Sequence, residues 1–231
     1  MYDGTPLVIT EEMVIVAYAD SNDNQIYSSY TTSELYRVDS SAPLNFAGQT
    51  SGNFYGAEGG EDLVAIYLEE GLDGTFEWGE GADGFDSGSH LSFYADNFLD
   101  VEAETWFRLG GLEYFNSTIF EGTEAFSVDL NLGIEFDTPN VTENFNFNFA
   151  LENTANLEGN TADQNADFVR ITNSNSPFST TLNGQQYELQ LQFGYLGSDG
   201  FATVDEFHVH EGSSATADIF GYFVPSDDEQ G

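Results

Sequence analysis

The segment FSVDLNLGIEF, residues 126–136, decides the fold because apolar side chains occupy every second position along its whole length. A period of two is typical of a β-strand that buries one face. The residues predicted on the buried face are Phe126, Val128, Leu130, Leu132, Ile134 and Phe136. The same alternation recurs in residues 145–151 and 187–193, which predict two further strands of this kind.

Turn residues separate further strand-like runs. Asn183-Gly184 lies between Phe178–Leu182 and the run 187–193, and this dipeptide strongly favours a β-hairpin. Phe201–Val209 and Ala215–Val224 are predicted as two closing strands with a turn at Glu211-Gly212. Shorter runs predict strands at Met13–Tyr18, Leu63–Leu68, Thr75–Trp78, Leu91–Tyr94 and Trp106–Leu109, although the run at 63–68 also fits a short helix.

Many short strands without a long helical period predict an all-β fold, a two-sheet β-sandwich of jelly-roll type. We expect residues 71–225 to form the main sandwich domain. Residues 1–70 are predicted to be an N-terminal elaboration of strands and loops, within or beside the same sandwich. Residues 20–60 are weakly patterned, which leaves loops, edge strands or an extension open. Residues 226–231 are acidic and polar and are predicted to be a flexible tail.

The charge of the chain limits its partners. There are 41 acidic residues against three basic ones, Arg37, Arg108 and Arg170, and the formal net charge is −38. Such a protein repels nucleic-acid phosphates and anionic lipid headgroups, so we expect no nucleic-acid binding and no membrane insertion. Self-repulsion at low salt lowers stability, and cations must offset it. Screening salt and Ca²⁺ held by oxygen ligands are the two expected sources.

Cysteine is absent, which excludes disulfides, thiolate zinc sites and thiol catalysis. The residues after Met1 lack the basic start and apolar run of a signal peptide. No apolar run approaches the ~20 residues of a membrane-spanning helix. We expect an extracellular or cell-surface location, with a salt-adapted cytoplasm or a virion as the alternatives.

Several sequence blocks between residues 75 and 223 form a pattern. They are TFEWG at 75–79, HLSF at 90–93, FRLGGLEYFNSTI at 107–119, GTEA at 122–125, NT at 153–154 with ADFV at 166–169, and FHVHEG at 207–212. Together they resemble the choice-of-anchor K domain, a family of bacterial surface and secreted proteins. Ser117 stands where that family usually has Gly. The resemblance implies an exported module and supplies no catalytic residues.

Three groups of oxygen-bearing side chains are candidate Ca²⁺ ligands. The first, Asp20, Asn22 and Asn24, begins like an EF-hand loop, but Gln25 and Thr31 stand where the Gly and the bidentate Glu are required. The other two groups are Asp163, Asn165 and Asp167, before a predicted strand, and Asp83 and Asp86, in a Gly-rich turn. The alternative for all three is that Asp, Asn and Gly simply form turns.

His208 and His210 are predicted to share a strand face with Glu206, while Phe207 and Val209 point to the other face. A His-x-His pair beside a carboxylate fits a transition-metal site, with His90 as a third ligand. The alternative is a solvated strand face.

The two tryptophans are expected to be core residues with exposed acidic neighbours, Glu77 beside Trp78 and Glu104 beside Trp106. A carboxylate pair among aromatics would instead suit a glycosidase. The tyrosines predicted as sugar-stacking residues are Tyr27, Tyr30, Tyr36 and Tyr55, and ordinary packing is their alternative.

We therefore expect a non-enzymatic extracellular structural or adhesive module that Ca²⁺ stabilises. The first alternative is a carbohydrate-binding module or a glycan-active enzyme. The second is a self-assembling filament or virion surface subunit. The expected partners are cations, and either polysaccharide or other copies of the chain.

Overall fold

The structure, a computed structural model, describes residues 13–14, 35–36, 45–82, 84–138, 140–172, 178–182 and 185–226. The chain divides into two compact units, Met1–Pro43 and Leu44–Gly231. In the first unit, β1 (Met13–Val14) pairs antiparallel with β2 (Leu35–Tyr36).

Fourteen strands of the second unit are described. They are β3 (Asn45–Gly59), β4 (Ala65–Glu70), β5 (Asp73–Trp78), β6 (Ser89–Ala95), β7 (Asn97–Glu102), β8 (Trp106–Phe115), β9 (Ala125–Thr138), β10 (Val141–Glu152), β11 (Asp167–Ile171), β12 (Phe178–Leu182), β13 (Gln185–Gly194), β14 (Gly200–Ala202), β15 (Glu206–Val209) and β16 (Ser214–Pro225). The first sheet has the order β14-β15-β11-β10-β9-β3-β7, and the second has the order β12-β13-β16-β8-β6-β5-β4.

The predicted all-β, two-sheet sandwich is confirmed. Each sheet has seven antiparallel strands, and the chain crosses between the sheets several times, as sandwiches of jelly-roll type do. Of the run at 63–68, residues 65–68 lie in strand β4, and none of the run is helical. Strands β3 and β4, from the segment predicted as an N-terminal elaboration, are members of the two sheets. The described residues include no helix with the length and apolar character needed to cross a membrane.

Aromatic side chains from both sheets fill the space between them. The predicted alternation holds in β10 and β13, where the Phe, Leu and Tyr positions are buried. The largest fully buried aromatic side chains are Phe46, Phe76, Phe93, Phe136, Phe147, Phe149, Phe207 and Phe223. Phe223 of β16 packs against Phe136 of β9 with ring centroids 5.8 Å apart, which joins the two sheets.

The predicted burial of Phe126 is wrong, because 53% of this residue is exposed. The pairing of β9 with β3 shifts register twice near Phe126, between Tyr55 and Glu58 and again between Glu58 and Gly59. Such bulges change which face a side chain points to. Ala125 takes the inward position instead, and the remaining predicted residues of this strand are buried.

The closing segment 201–209 is also corrected, since it forms two strands and not one. Strands β14 and β15 pair antiparallel with Phe201 opposite His208. The backbone N–H of Thr203 donates to the Glu206 carbonyl at 2.8 Å and closes the turn between them. The predicted hairpin of β12 and β13 is confirmed by the pairing of Leu182 with Gln185, while Asn183-Gly184 lies outside the described residues.

Strand β3, the longest of the strands that the structure describes, lies in the weakly patterned segment 20–60. Its inward positions include Gly48 and Gly52, which interrupt the apolar alternation that marks the other strands. Gly52 faces the buried ring of Phe93 from the second sheet, and a Cβ atom there would lie 2.3 Å from Phe93 Cδ1. A glycine is therefore required where the Phe93 ring of the second sheet packs on the backbone of β3.

We expect Gly52→Ala to destabilise the protein, because a methyl group would push the Phe93 ring out of its packed position. Overpacking of this kind costs about 1–3 kcal/mol. The neighbouring substitution Asn53→Ala, at an exposed position, should change stability by less than about 0.5 kcal/mol. Urea unfolding of the two variants measures the difference, and equal midpoints would contradict this account of β3.

Candidate functional site

The solvent face of the second sheet carries an unusual number of aromatic side chains. Tyr222 of β16 lies opposite Trp106 of β8, and their ring centroids are 5.0 Å apart. Trp106 is 44% exposed, and Tyr94 of β6 is 41% exposed. Phe220 and Arg108 form the next cross-strand pair. We call these five residues the aromatic face.

Two carboxylates hold Arg108 in place on the aromatic face. Its Nε donates to Asp218 Oδ1 at 2.7 Å, and its Nη1 donates to Asp96 Oδ2 at 2.5 Å. The hydrogen bond to Asp218 raises the pKa of the guanidinium above its ordinary value, burial lowers it less, and Asp96 adds to the rise. The guanidinium is therefore a fixed planar cation between Asp96 and Asp218, next to the rings.

A hydrogen-bonded carboxylate borders the same face. Tyr94 Oη donates to Glu113 Oε2 at 2.5 Å, and Ser214 Oγ donates to Glu113 Oε1 at 2.7 Å. Burial alone would raise the pKa of Glu113, but these two hydrogen bonds lower it below its usual range. Glu113 is therefore a permanently charged acceptor at neutral pH, and its hydrogen bond raises the pKa of Tyr94.

A groove of about 440 Å³ lies at one end of the second sheet. We call it the end groove. Three acidic side chains line it, Glu77, Glu80 and Asp86, beside the apolar side chains of Ile66 and Phe120. It is lined further by Val64, Trp78, Gly79, Gly81, Ser87 and Gly88.

A buried polar cluster occupies the region where β11 begins. Asp167 is 5% exposed, and its Oδ1 accepts a hydrogen bond from the Thr154 N–H at 2.6 Å. Its pKa is raised to about 7, mainly by burial; the charge of Glu211 also raises it, and the hydrogen bonds from Thr154 and Asn116 lower it. Asn116 Nδ2 donates to the Val209 carbonyl at 3.0 Å, whereas its Oδ1 accepts no hydrogen bond from any residue that the structure describes.

The predicted Ca²⁺ ligands around residue 165 point to separate partners. Asp163 Oδ1 lies 2.8 Å from His210 Nε2, and Asn165 Oδ1 accepts from the Asn160 side chain at 2.9 Å. Asp167 binds Thr154, as described above. Within the described ranges, no group of three or more His, Asp or Glu side chains is arranged to hold a metal ion.

The other predicted Ca²⁺ ligands are distributed as follows. Asp86 lies in the end groove with Glu77 and Glu80. Asp20, Asn22, Asn24 and Asp83 lie outside the described residues. The Ca²⁺ prediction stays a prediction.

The predicted face of β15 is observed, since Phe207 and Val209 are buried on the opposite side from Glu206 and His208. His208 Nε2 lies 2.9 Å from Glu206 Oε2, whereas His210 contacts Asp163. The two imidazoles therefore engage different carboxylates.

His90 does not join these two histidines, because it lies in the other sheet. It belongs to β6, where its ring packs 5.3 Å from that of Phe115. The predicted three-histidine arrangement is therefore not assembled.

The two tryptophans have different environments. Trp78 is a core residue, as predicted, and stacks on Phe76 with ring centroids 5.1 Å apart. The prediction of a buried Trp106 is wrong, because the residue faces solvent beside Tyr222. Glu104, two residues earlier, adopts a φ of 60°, and its N–H donates to the Phe223 carbonyl at 2.9 Å.

Among the tyrosines predicted to stack on sugars, Tyr55 is 42% exposed on the first sheet. Tyr36 is described only as part of β2, and Tyr27 and Tyr30 lie outside the described residues. Tyr55 does not belong to the aromatic face, which lies on the second sheet.

The sequence prediction missed an aromatic stack on the first sheet. Phe201, His208 and Phe168 lie in one cross-strand row, with ring centroids 4.1 Å and 4.5 Å from the histidine. Arg170 lies over the Phe168 ring and pairs with Glu206. The rarity of arginine was the one signal available, because each of the two described arginines lies beside aromatic side chains and is paired with at least one carboxylate.

We expect the stability contributed by Asp167 to fall as the pH rises. Its folded-state pKa of about 7 exceeds the ordinary value of 3.8, so the folded protein keeps a proton that the unfolded chain releases between these values. The contribution is complete below about pH 4 and is lost by about pH 7. Asp167→Asn, which stays neutral, should be more stable than the wild type at pH 8 by roughly 2–4 kcal/mol.

The measurement is thermal unfolding between pH 5 and 8, with Asp199→Asn as a control that removes an exposed carboxylate. The difference in unfolding midpoint between the wild type and Asp167→Asn should increase with pH. The difference between the wild type and the control should stay constant. A constant gap would show that the Asp167 carboxyl does not titrate in this window.

Comparison of the chain with known protein families gives no match, and comparison with curated proteins gives none either. The resemblance to the choice-of-anchor K domain therefore stays a prediction.

Proposed function

We propose that this chain is an extracellular adhesive module that binds its target through the aromatic face. The observation that carries the proposal is the solvent-exposed pair of Trp106 and Tyr222 on a sheet whose other face is packed into the core. Large aromatic side chains dominate binding energy because they bury much area at little cost in conformational entropy.

The aromatic face lies on strands with neighbours on both sides. Strands β16, β8 and β6 are adjacent in the second sheet, between β13 and β5. Arg108 and Glu113 are each held by two hydrogen bonds, so they need little ordering when a target binds. A rigid surface with fixed polar groups suits a module that is selected for holding its target.

The net charge of −38 restricts the target to neutral or cationic material. A neutral polysaccharide is the more specific second candidate. Gln190 of β13 lies opposite Tyr222, so an amide side chain borders the ring pair. Stacking of a sugar on the rings with hydrogen bonds to this amide, Arg108 and Glu113 would combine apolar and polar contacts, as sugar recognition requires.

We expect the double substitution Trp106→Ala/Tyr222→Ala to weaken adhesion by at least about tenfold, because it removes the anchor residues. Phe126→Ala, which removes an exposed aromatic ring from the first sheet, is the matched control and should leave adhesion unchanged. The measurement is retention of labelled protein on bacterial cells and on immobilised neutral polysaccharides.

The pattern of retention separates the two candidates. Retention on polysaccharide that depends on the ring pair supports sugar binding. Retention on cells alone supports adhesion to another surface component. Equal retention of the double variant and the wild type would show that the aromatic face is not the binding surface.

Calcium stabilisation belongs to the same proposal. Bound cations would offset the self-repulsion of 41 acidic side chains. We expect the midpoint of thermal unfolding to rise in millimolar CaCl₂ relative to chelator, at constant ionic strength. A sample in NaCl of the same ionic strength is the control for charge screening. An unchanged unfolding midpoint in CaCl₂ would remove Ca²⁺ from the proposal.

A further inference from the structure

One edge of the second sheet, next to the end groove, carries no further strand among the residues that the structure describes. Strand β4 is the last strand of its sheet among the described residues and pairs only with β5. Its exposed side chains include Ile66, at 46%, and Leu68, at 51%. An edge strand with free N–H and C=O groups and apolar side chains is a template for an added strand.

The end groove joins this edge and carries uncompensated negative charge. Glu77 and Glu80 line it together with Asp86, and the described ion pairs include none of the three. Arg108 and Arg170, the arginines that the structure describes, are committed to other carboxylates. A ligand that carries positive charge would complement these carboxylates.

The three carboxylates of the end groove are not arranged around one metal ion. Glu77, Glu80 and Asp86 do not form a group that could hold a metal, as no such group occurs in the part of the chain that the structure describes. A ligand with several cationic groups along an extended chain matches three carboxylates in one groove better than a single divalent cation does.

The apolar part of the groove favours lysine side chains over compact cations. Phe120 is 54% exposed and lines the groove with Ile66 and Val64. A lysine places its methylene stem on apolar surface while its ammonium group reaches a carboxylate. Phe120 and Ile66 offer that surface beside Glu77 and Glu80.

The same edge discourages a second copy of this chain. Glu69 and Glu70 end β4 and are exposed, and each copy carries a net charge of −38. Acidic residues on an edge strand prevent edge-to-edge pairing between identical molecules. They attract a strand of opposite charge.

We propose that β4 and the end groove bind an extended, lysine-bearing peptide segment of another protein. The segment adds as a strand to the free edge of β4, and its lysine side chains enter the groove toward Glu77, Glu80 and Asp86. This site is separate from the aromatic face and does not depend on the adhesive function proposed above.

The test is fluorescence anisotropy at physiological salt with a labelled peptide of about eight residues, a usual strand length, in which lysine alternates with valine. We expect the wild type to bind it. The triple variant Glu77→Gln/Glu80→Gln/Asp86→Asn should raise the Kd at least about tenfold, because it removes the charged partners. Phe120→Ser should also weaken binding.

The matched control, Asp137→Asn/Glu158→Gln/Asp199→Asn, removes the same charge from exposed positions outside the groove and should change the Kd less than about twofold. Equal losses in the two triple variants would reduce the interaction to diffuse attraction and overturn the proposal. All these substitutions lie outside the core, so unfolding would not confuse the result.

The probe itself tests strand addition. A peptide with alternate backbone nitrogens methylated should bind at least about tenfold more weakly, because it loses the hydrogen bonds to β4. Unchanged affinity of the methylated peptide would overturn the proposed mode. If spermine competes as strongly as the unlabelled peptide, the groove binds polyamines, and the proposal of a peptide ligand is overturned.

Discussion

The close packing of the Phe93 ring on the backbone of Gly52 governs how the two sheets face each other. A Cβ at Gly52 would lie 2.3 Å from that ring, and one at Gly110, in the second sheet, would lie 2.7 Å from it. The ring thus fills the interior between two glycines, one in each sheet. Because interiors are close-packed, such a contact fixes the local sheet spacing and hence the strand positions.

This constraint explains which parts of the fold were predictable. The alternation in residues 126–136 and 187–193 marks strands whose inward side chains are large, so their burial pattern followed from the sequence. Strand β3 was hidden because a glycine serves as an inward residue when a ring from the other sheet takes its volume, and the identity of that ring is not local information. Phe126 was misplaced because a bulge depends on the pairing with β3, which single-strand periodicity does not contain.

The candidate sites were less predictable than the fold, because they depend on the direction of side chains brought together from distant segments. Asp163 and Asp167 are four residues apart, yet one binds His210 and the other binds the Thr154 backbone. Conversely, Arg108 binds Asp218, 110 positions away in the sequence. The composition did predict that the protein is negatively charged and that it has few basic side chains. It did not predict that Trp106 would be left outside the core.

The commitment of scarce arginines to ion pairs inside strands also affects how the folded protein meets proteases. Trypsin cleaves after lysine or arginine and requires an extended, accessible segment around the cleaved bond. The chain has no lysine. Arg108 lies within β8 and Arg170 within β11, and each of these strands is hydrogen-bonded to a neighbouring strand on both sides. Among the described residues, no loop of the native sandwich therefore carries a lysine or arginine at which trypsin could cleave. Digestion there would report on global unfolding, which makes trypsin a clean probe of the sandwich.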